Sequence, residues 1–181
     1  MRLSILIAAV SIALVGCGGS DTNQASTAET ANSVKATPTK AQSALAAASS
    51  QDEARRIMHE RHEGMEAIGK ANKSIKRELE SAQPDLAVVH ASAAKIANLS
   101  RKASGWFPRG SGPELGKTGA KPDIWQNPDD FLGKLHDFQA KAKAFDAAAG
   151  GNDLALIRSR SGDLSGACKA CHDKYRSEMH H

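Results

Sequence analysis

Five consecutive residues near the end of the chain carry the clearest chemistry in the sequence: Cys168, Lys169, Ala170, Cys171 and His172. The spacing C-x-x-C-H is the attachment signature of a c-type haem, in which two thiols add to the porphyrin vinyl groups and the histidine ligates the iron. On a helix, positions i and i+3 lie on one face, about one turn apart. Both thiols can then reach the porphyrin edge while the imidazole points at its centre. The motif predicts one covalent haem c, with His172 as an iron ligand.

Two other uses of paired cysteines agree less well with the rest of the sequence. A redox dithiol is expected in a β-α-β context with the motif at the start of a helix, whereas this motif lies near the end of an alanine-rich chain. A structural zinc site takes four ligands, and the only other cysteine is Cys17. Haem attachment is the favoured interpretation, and the motif argues against a haem-free bundle with a structural role.

The composition favours closely packed helices that enclose a large apolar cofactor. Aromatic residues make up only 4% of the 181 residues, so the core that the chain can build by itself is thin. The formal net charge is +4, and no run of lysine and arginine interleaved with aromatic residues is present. Nucleic-acid binding therefore has little support.

The first residues have the character of an export signal with a lipid-attachment site. A short positive start precedes an almost wholly apolar stretch, residues 3–15, which is too short to span a bilayer. Residues 14–17, Leu-Val-Gly-Cys, resemble the bacterial lipobox. We predict that residues 1–16 are a lipoprotein signal peptide and that Cys17 is lipidated, which would anchor the protein in the periplasm to the inner or outer membrane. The alternative is an ordinary signal peptide with a chance cysteine.

Residues 17–50 are small, polar and rich in alanine, serine and threonine. Such a segment has too little apolar surface to fold alone. We predict a lipid-anchored flexible tether with a random-coil span of about 30 Å. It would hold the folded part, residues 51–181, close to the membrane.

Helical periodicity begins at Gln51 and continues through a second stretch that starts at Pro84-Asp85 and stops near Gly105. The stripe predicted to face inward on the first helix comprises Met58, Arg61, Met65, Ile68, Asn72, Ile75 and Leu79. A long connection rich in glycine and proline follows and runs to Pro122. The aromatic residues in and after it, Trp106, Phe107 and Trp125, are interpreted as packing residues.

Two more helices follow the long connection. The third is predicted to begin with Asn127 as N-cap and Pro128 in the first turn. The fourth is predicted to be capped by Asn152 or Asp153 and to carry the cysteine motif. No strand signal or repeat is found. The predicted fold class is all-α, an antiparallel four-helix bundle with covalently attached haem c.

Four motifs make the chain resemble the class II cytochromes c, the cytochrome c′ family, over residues 53–178. The motifs are R-x-x-x-M at Arg61–Met65, F-P-x-G at Phe107–Gly110, K-P-D-I-W-x-x-P-x-x-F from Lys121 to Phe131, and C-x-x-C-H-x-x-Y-R at Cys168–Arg176. The resemblance implies a left-handed four-helix bundle with the haem near its C-terminal end. It also implies that relatives are often dimers through the first two helices, so a homodimer is possible.

The resemblance assigns Met65 to the position opposite His172 across the iron. If Met65 binds, the iron is six-coordinate and low-spin, and the protein carries electrons. If it does not bind, the iron is five-coordinate and takes nitric oxide or carbon monoxide. Met65 could also be core filler, since methionine packs well in irregular cores, although a thioether is a suitable ligand in c-type haems. Met58 competes from the same stripe, but Met65 has the family spacing.

Other residues receive roles from the resemblance or from their spacing. Arg61 resembles the family arginine near the haem propionates, with a surface arginine as the alternative. Arg176 has the spacing to act similarly. Gly64 could allow the backbone to approach the porphyrin or let Met65 move. The remaining histidines are predicted to be solvated, namely His59, His62, His90 and His136, with His180 and His181 at the chain end.

Together these observations predict a periplasmic, membrane-tethered monohaem cytochrome that transfers single electrons to redox partner proteins. Electron transfer needs no acid–base pair or nucleophile, so we do not expect an enzyme. Most relatives are soluble in the periplasm, and a tether would favour a local relay beside a membrane complex. A five-coordinate binder of nitric oxide or carbon monoxide is the alternative.

Overall fold

The computed structural model describes residues 45–178. The predicted signal peptide, the lipidation site Cys17 and most of the predicted tether lie outside this range, as do the two final histidines. Among the described residues, no helix combines the length and the apolar character needed to cross a bilayer.

Four long helices form the folded part. They are α1 (Gln51–Glu80), α2 (Leu86–Lys102), α4 (Pro128–Ala149) and α5 (Leu154–Tyr175), and the short helix α3 (Asp123–Gln126) lies in the long connection. A 3₁₀ turn, Ala103–Gly105, continues α2 to the predicted stop. The described residues contain no strand, only two isolated bridges. The predicted all-α four-helix bundle is confirmed.

The helix starts follow from local chemistry. The Ser50 side chain accepts a hydrogen bond from the Glu53 amide, Asp85 accepts from two amides of α2, and Asp153 accepts from the Leu156 amide. Each satisfies donors that a helix N-terminus leaves unpaired. Asn127 occupies the N-cap position of α4, but its side chain makes no capping bond and its Nδ2 instead donates to the Asp123 carbonyl. The prediction of Asn127 as the N-cap residue of α4 is confirmed in position, although its side chain makes no capping bond.

Each long helix packs against the next one in the sequence: α1 contacts α2, α2 contacts α4, and α4 contacts α5. The connections between α1 and α2 and between α4 and α5 are only a few residues long, so these pairs are antiparallel. An aromatic series joins the long connection to the last two helices: the Phe107 and Phe131 ring centroids are 4.7 Å apart, and those of Phe131 and Tyr175 are 5.3 Å apart, both edge to face.

The folded part starts earlier than residue 51, the boundary predicted from composition. Leu45 is buried. The Arg109 amide donates to the Ala46 carbonyl at 2.9 Å, and the Ala48 amide donates to the Arg109 carbonyl at 3.2 Å. Residues 45–50 therefore belong to the folded part, because their backbone pairs with the long connection despite their small side chains.

Candidate functional site

The two motif cysteines lie one helical turn apart on α5. Both are half-buried, both pack against the hydrophobic core, and neither is in a disulfide. Burial raises the pKa of the Cys168 thiol and raises that of Cys171 to about 11. The site thus presents two neutral thiols at an apolar surface, which suits the edge of a porphyrin.

His172 follows on the same helix and is half-buried. Burial lowers the pKa of its imidazole, the Arg176 charge lowers it further, and Asp173 opposes these effects. The neutral imidazole is the form that ligates metals. The environment of His172 therefore favours the protonation state that an iron ligand requires.

The last turn of α5 is fixed to the rest of the bundle close to His172. The buried Tyr175 donates its hydroxyl to Asp130 Oδ2 at 2.5 Å, and Lys174 donates to the same oxygen at 3.0 Å. The Lys121 amide also donates to the Tyr175 carbonyl at 3.0 Å. These contacts tie the cysteine helix to the start of α4 and to the long connection. No motif in the sequence indicated this role of Asp130.

Met65 lies on α1 and packs, half-buried, against the same hydrophobic core as Cys168 and Cys171. Met58 is also half-buried, but it is not among the described residues that pack on this core. Of the two α1 methionines, Met65 is therefore the one that packs on the core that Cys168 and Cys171 also contact. Ligation of the iron by Met65 stays a prediction.

Gly64, immediately before Met65, is in contact with Trp106. A Cβ atom at this position would lie 2.5 Å from Trp106 Cζ2 and 3.0 Å from Cζ3, closer than side chains approach. Trp106 is 2% exposed and belongs to the core. Gly64 thus makes room for an indole ring on the helix that carries Met65.

Arg61 is buried rather than on the surface, with 5% of its area exposed. Its Nη1 donates to the Trp106 carbonyl at 2.9 Å and to Ser111 Oγ at 3.1 Å, and its Nη2 donates to the Ser111 carbonyl at 2.9 Å and to Thr118 Oγ1 at 3.1 Å. Burial lowers its pKa to about 10, and Glu114 opposes the shift. The surface-arginine alternative is wrong, because Arg61 holds the long connection against α1. Its predicted pairing with a haem propionate is a separate role and stays a prediction.

Arg176 lies just beyond α5, where its amide donates to the His172 carbonyl at 3.0 Å. Its side chain is exposed, and its charge acts on His172. Proximity to the motif agrees with its predicted place on the haem side, while contact with a propionate stays a prediction.

The surface histidines lie where the sequence predicted them. All four are exposed: His59, His62, His90 and His136. His59 and His62 lie 3.6 Å and 3.4 Å from Glu63 and Glu66, one turn along α1. Within residues 45–178, no three histidine, cysteine or acidic side chains are grouped to hold a metal ion. The motif on α5 therefore remains the site to consider.

Two further features suit a haem beside the motif. Within the described range, α1 and α5 are not among the closely packed pairs of helices, which is compatible with a flat cofactor between these two helices. The indole N–H of Trp106 is also buried without any hydrogen-bond acceptor from residues 45–178. A propionate-bearing cofactor can supply such an acceptor. The two thiols and the imidazole of the motif, their apolar surroundings and the unpaired N–H of Trp106 all fit a haem c.

Comparison with known proteins decides the family. The sequence pattern of the family described as Cytochrome C′ matches residues 56–176. The chain belongs to the cytochrome c′ family. The match includes Met65 and the whole C-x-x-C-H motif, and the cofactor of this family member is one covalent haem c.

Two relatives show the extent of the similarity. Cytochrome c-554 of Cereibacter sphaeroides is 41% identical over 73 residues, which are 40% of this chain and 54% of the relative. The chain thus spans about half the length of that relative. Cytochrome c′ of Rhodopseudomonas palustris is 35% identical over 125 residues, which are 67% of this chain and 82% of the relative.

Solved structures of the family have the same fold. Cytochrome c′ from Thermochromatium tepidum superposes with a TM-score of 0.65 at 28% identity, over 69% of this chain and 97% of the other. A cytochrome c′ with an unusual ligand-controlled dimer dissociation gives 0.64 at 29% identity, over 73% and 100%. The nitric oxide complex of a variant cytochrome c′ from Alcaligenes xylosoxidans gives 0.62 at 26% identity, over 72% and 98%.

Proposed function

We propose that this cytochrome c′ family member transfers single electrons, with its haem iron held by His172 and Met65. The observation that carries the proposal is the placement of Met65 on the same hydrophobic core as Cys168 and Cys171. Haem c supplies a one-electron iron couple, and histidine–methionine ligation raises its potential. No other chemistry is needed from the protein.

The chain's own residues contribute position and exclusion of water. Tyr175 and Asp130 hold the last turn of α5, so that His172 keeps its orientation. The Gly64–Trp106 contact fixes the turn of α1 that precedes Met65. Phe131, which is 2% exposed, closes the region between the long connection and α5. A rigid, dry site of this kind supports electron transfer, because little rearrangement accompanies a change in iron charge.

A second function has a specific basis in the comparisons. One structural neighbour is a nitric oxide complex of a variant cytochrome c′. In this chain, Met65 is the α1 methionine that packs on the same core as the motif cysteines, so the iron's sixth position depends on whether Met65 binds. If Met65 does not bind, the iron has an open position. The protein would then bind nitric oxide or carbon monoxide.

Absorption spectra separate the two functions. The holoprotein, produced with its export signal, would be recorded oxidised, reduced, and reduced with carbon monoxide. A low-spin spectrum that carbon monoxide leaves unchanged is expected for electron transfer. A high-spin spectrum that shifts with carbon monoxide would replace this proposal with gas binding.

We further propose that the protein works in the periplasm, tethered to a membrane through a lipid on Cys17. The support is the lipobox-like sequence that precedes Cys17. The tether would confine electron transfer to redox partner proteins that lie beside the same membrane. Replacement of Cys17 by serine should release the holoprotein into the soluble fraction, and unchanged membrane fractionation would contradict the lipid anchor.

Self-association is a further proposal, motivated by the relative that shows ligand-controlled dimer dissociation. In this family, α1 and α2 are the helices expected to form such a contact. Sedimentation of the reduced holoprotein with and without carbon monoxide tests it. A single monomeric species in both conditions would exclude a stable homodimer.

A further inference from the structure

Trp106 carries a hydrogen-bond donor that the described part of the chain does not satisfy. The residue is 2% exposed, and its Nε1–H has no acceptor among residues 45–178. A buried N–H left unpaired is destabilising, and native proteins rarely tolerate one. The nearby Trp125 donates its Nε1–H to the carbonyls of Phe107 and Pro108, at 3.2 Å and 3.0 Å. Trp106 therefore differs from the half-buried Trp125, and its acceptor must come from outside the described residues.

The indole ring of Trp106 lies beside the turn of α1 that leads to Met65. The Trp106 ring contacts Gly64, the residue before Met65. The carbonyl of Trp106 accepts a hydrogen bond from Arg61, one turn earlier, at 2.9 Å. Nε1 is two bonds from Cζ2, the atom that would lie 2.5 Å from a Cβ at Gly64. The donor is therefore held near the proposed iron ligand Met65.

The chemistry of the available acceptors selects the propionate. A thioether such as that of Met65 is only a weak acceptor. The periphery of haem c is apolar except for its two propionates, whose carboxylates form strong, charge-assisted hydrogen bonds. All four terminal N–H groups of Arg61 are already donated to the long connection. We propose that Trp106 donates its indole N–H to a haem propionate and that Arg61 positions it by holding its carbonyl.

The inference depends on the covalent haem and not on Met65 ligation, so the two proposals can fail separately. Proton NMR of the ferrous holoprotein tests it directly, with carbon monoxide added if the iron is high-spin. The Trp106 indole N–H should exchange slowly and show a nuclear Overhauser effect to a propionate methylene group. An indole N–H with no such effect to either propionate would overturn the proposal. This measurement needs no variant.

Matched variants give a second readout. Trp106→Phe removes the donor and leaves a smaller aromatic ring in the core, whereas Trp125→Phe removes an indole N–H that already has backbone acceptors. Resonance Raman spectra of the two holoproteins should show a shifted propionate bending band only for Trp106→Phe. An unchanged band in that variant would contradict the proposal. A shift of only the iron-bound carbon monoxide stretch would also contradict it, since the donor would then face the bound gas.

Discussion

Gly64 of α1 and Trp106 of the long connection lie in contact, with no space for a Cβ atom between them. This contact brings the long connection against the helix turn that precedes Met65. It explains a glycine in the middle of a helix, where glycine is unfavourable by about 1 kcal/mol relative to alanine.

Replacement of Gly64 by alanine should destabilise the holoprotein by about 1–3 kcal/mol, as expected when a methyl group is forced into a packed core. Gly69 is the matched control, because it lies on the same helix and a methyl group added there would meet no neighbouring described atom within 4 Å. Gly69→Ala should be stabilising by about 0.5–1 kcal/mol through helix propensity. Chemical denaturation measures both changes, and equal effects in the two variants would contradict the packing role of Gly64.

The Met65→Ala holoprotein should become high-spin and bind carbon monoxide, because the iron loses its proposed sixth ligand. Met58→Ala should leave the spectrum unchanged, since Met58 is not among the described residues on the shared core. Absorption spectroscopy of the ferric and ferrous forms decides between them. The reverse pattern would show that Met58 is the ligand.

Arg61→Lys should destabilise the holoprotein by about 1–3 kcal/mol, since an ammonium group cannot reproduce the four donations and leaves buried acceptors unpaired. Arg55 provides the control: it is exposed and donates once to the same connection, to the Leu115 carbonyl at 3.1 Å. Arg55→Lys should have little effect. Denaturation and limited proteolysis within residues 106–122 measure the difference, and equal protease resistance in the two variants would argue against the anchoring role of Arg61.

Tyr175→Phe should lower the thermal stability of the holoprotein at neutral pH, because the Asp130 carboxylate loses its hydroxyl donor. The Tyr175 hydrogen bond, followed by that of Lys174, holds the pKa of Asp130 below its ordinary value of 3.8. A lowered carboxyl pKa contributes stability above the unfolded value, and the contribution is lost as the pH falls through the folded value. The difference in melting temperature between wild type and variant should therefore shrink in acid.

Two further measurements test the hydrogen bond between Tyr175 and Asp130. One removes Lys174, the second donor to Asp130, and the other follows the ionisation of Tyr175. Lys174→Gln removes a half-exposed donor to the same oxygen and should have a smaller effect than Tyr175→Phe. Burial, and then Asp130, raise the pKa of Tyr175 above its ordinary value of 10. Tyr175 is the only tyrosine in the chain, so tyrosinate absorbance reports it alone. Ionisation at the ordinary pH in the folded protein would contradict the hydrogen bond.

Much of the architecture was predictable because short-range patterns decide it. Apolar spacing placed the four long helices, and Asp153 was one of two predicted caps for the helix that carries the motif. The end of the predicted tether was misplaced, since the pairing of Ala46 and Ala48 with Arg109 depends on backbone contacts across the fold. Helix α3 was not predicted, and its presence explains why Asn127 does not cap α4 with its side chain.

The sequence by itself determined the covalent chemistry, because C-x-x-C-H is a local pattern whose meaning depends on spacing alone. It also indicated the position opposite His172. Only the tertiary structure decided that Gly64 receives an indole ring, that Arg61 holds the long connection, and that Trp106 keeps an N–H without an acceptor among residues 45–178. These relationships join residues more than 40 positions apart, and their energies arise from close packing and buried hydrogen bonds that no local pattern records.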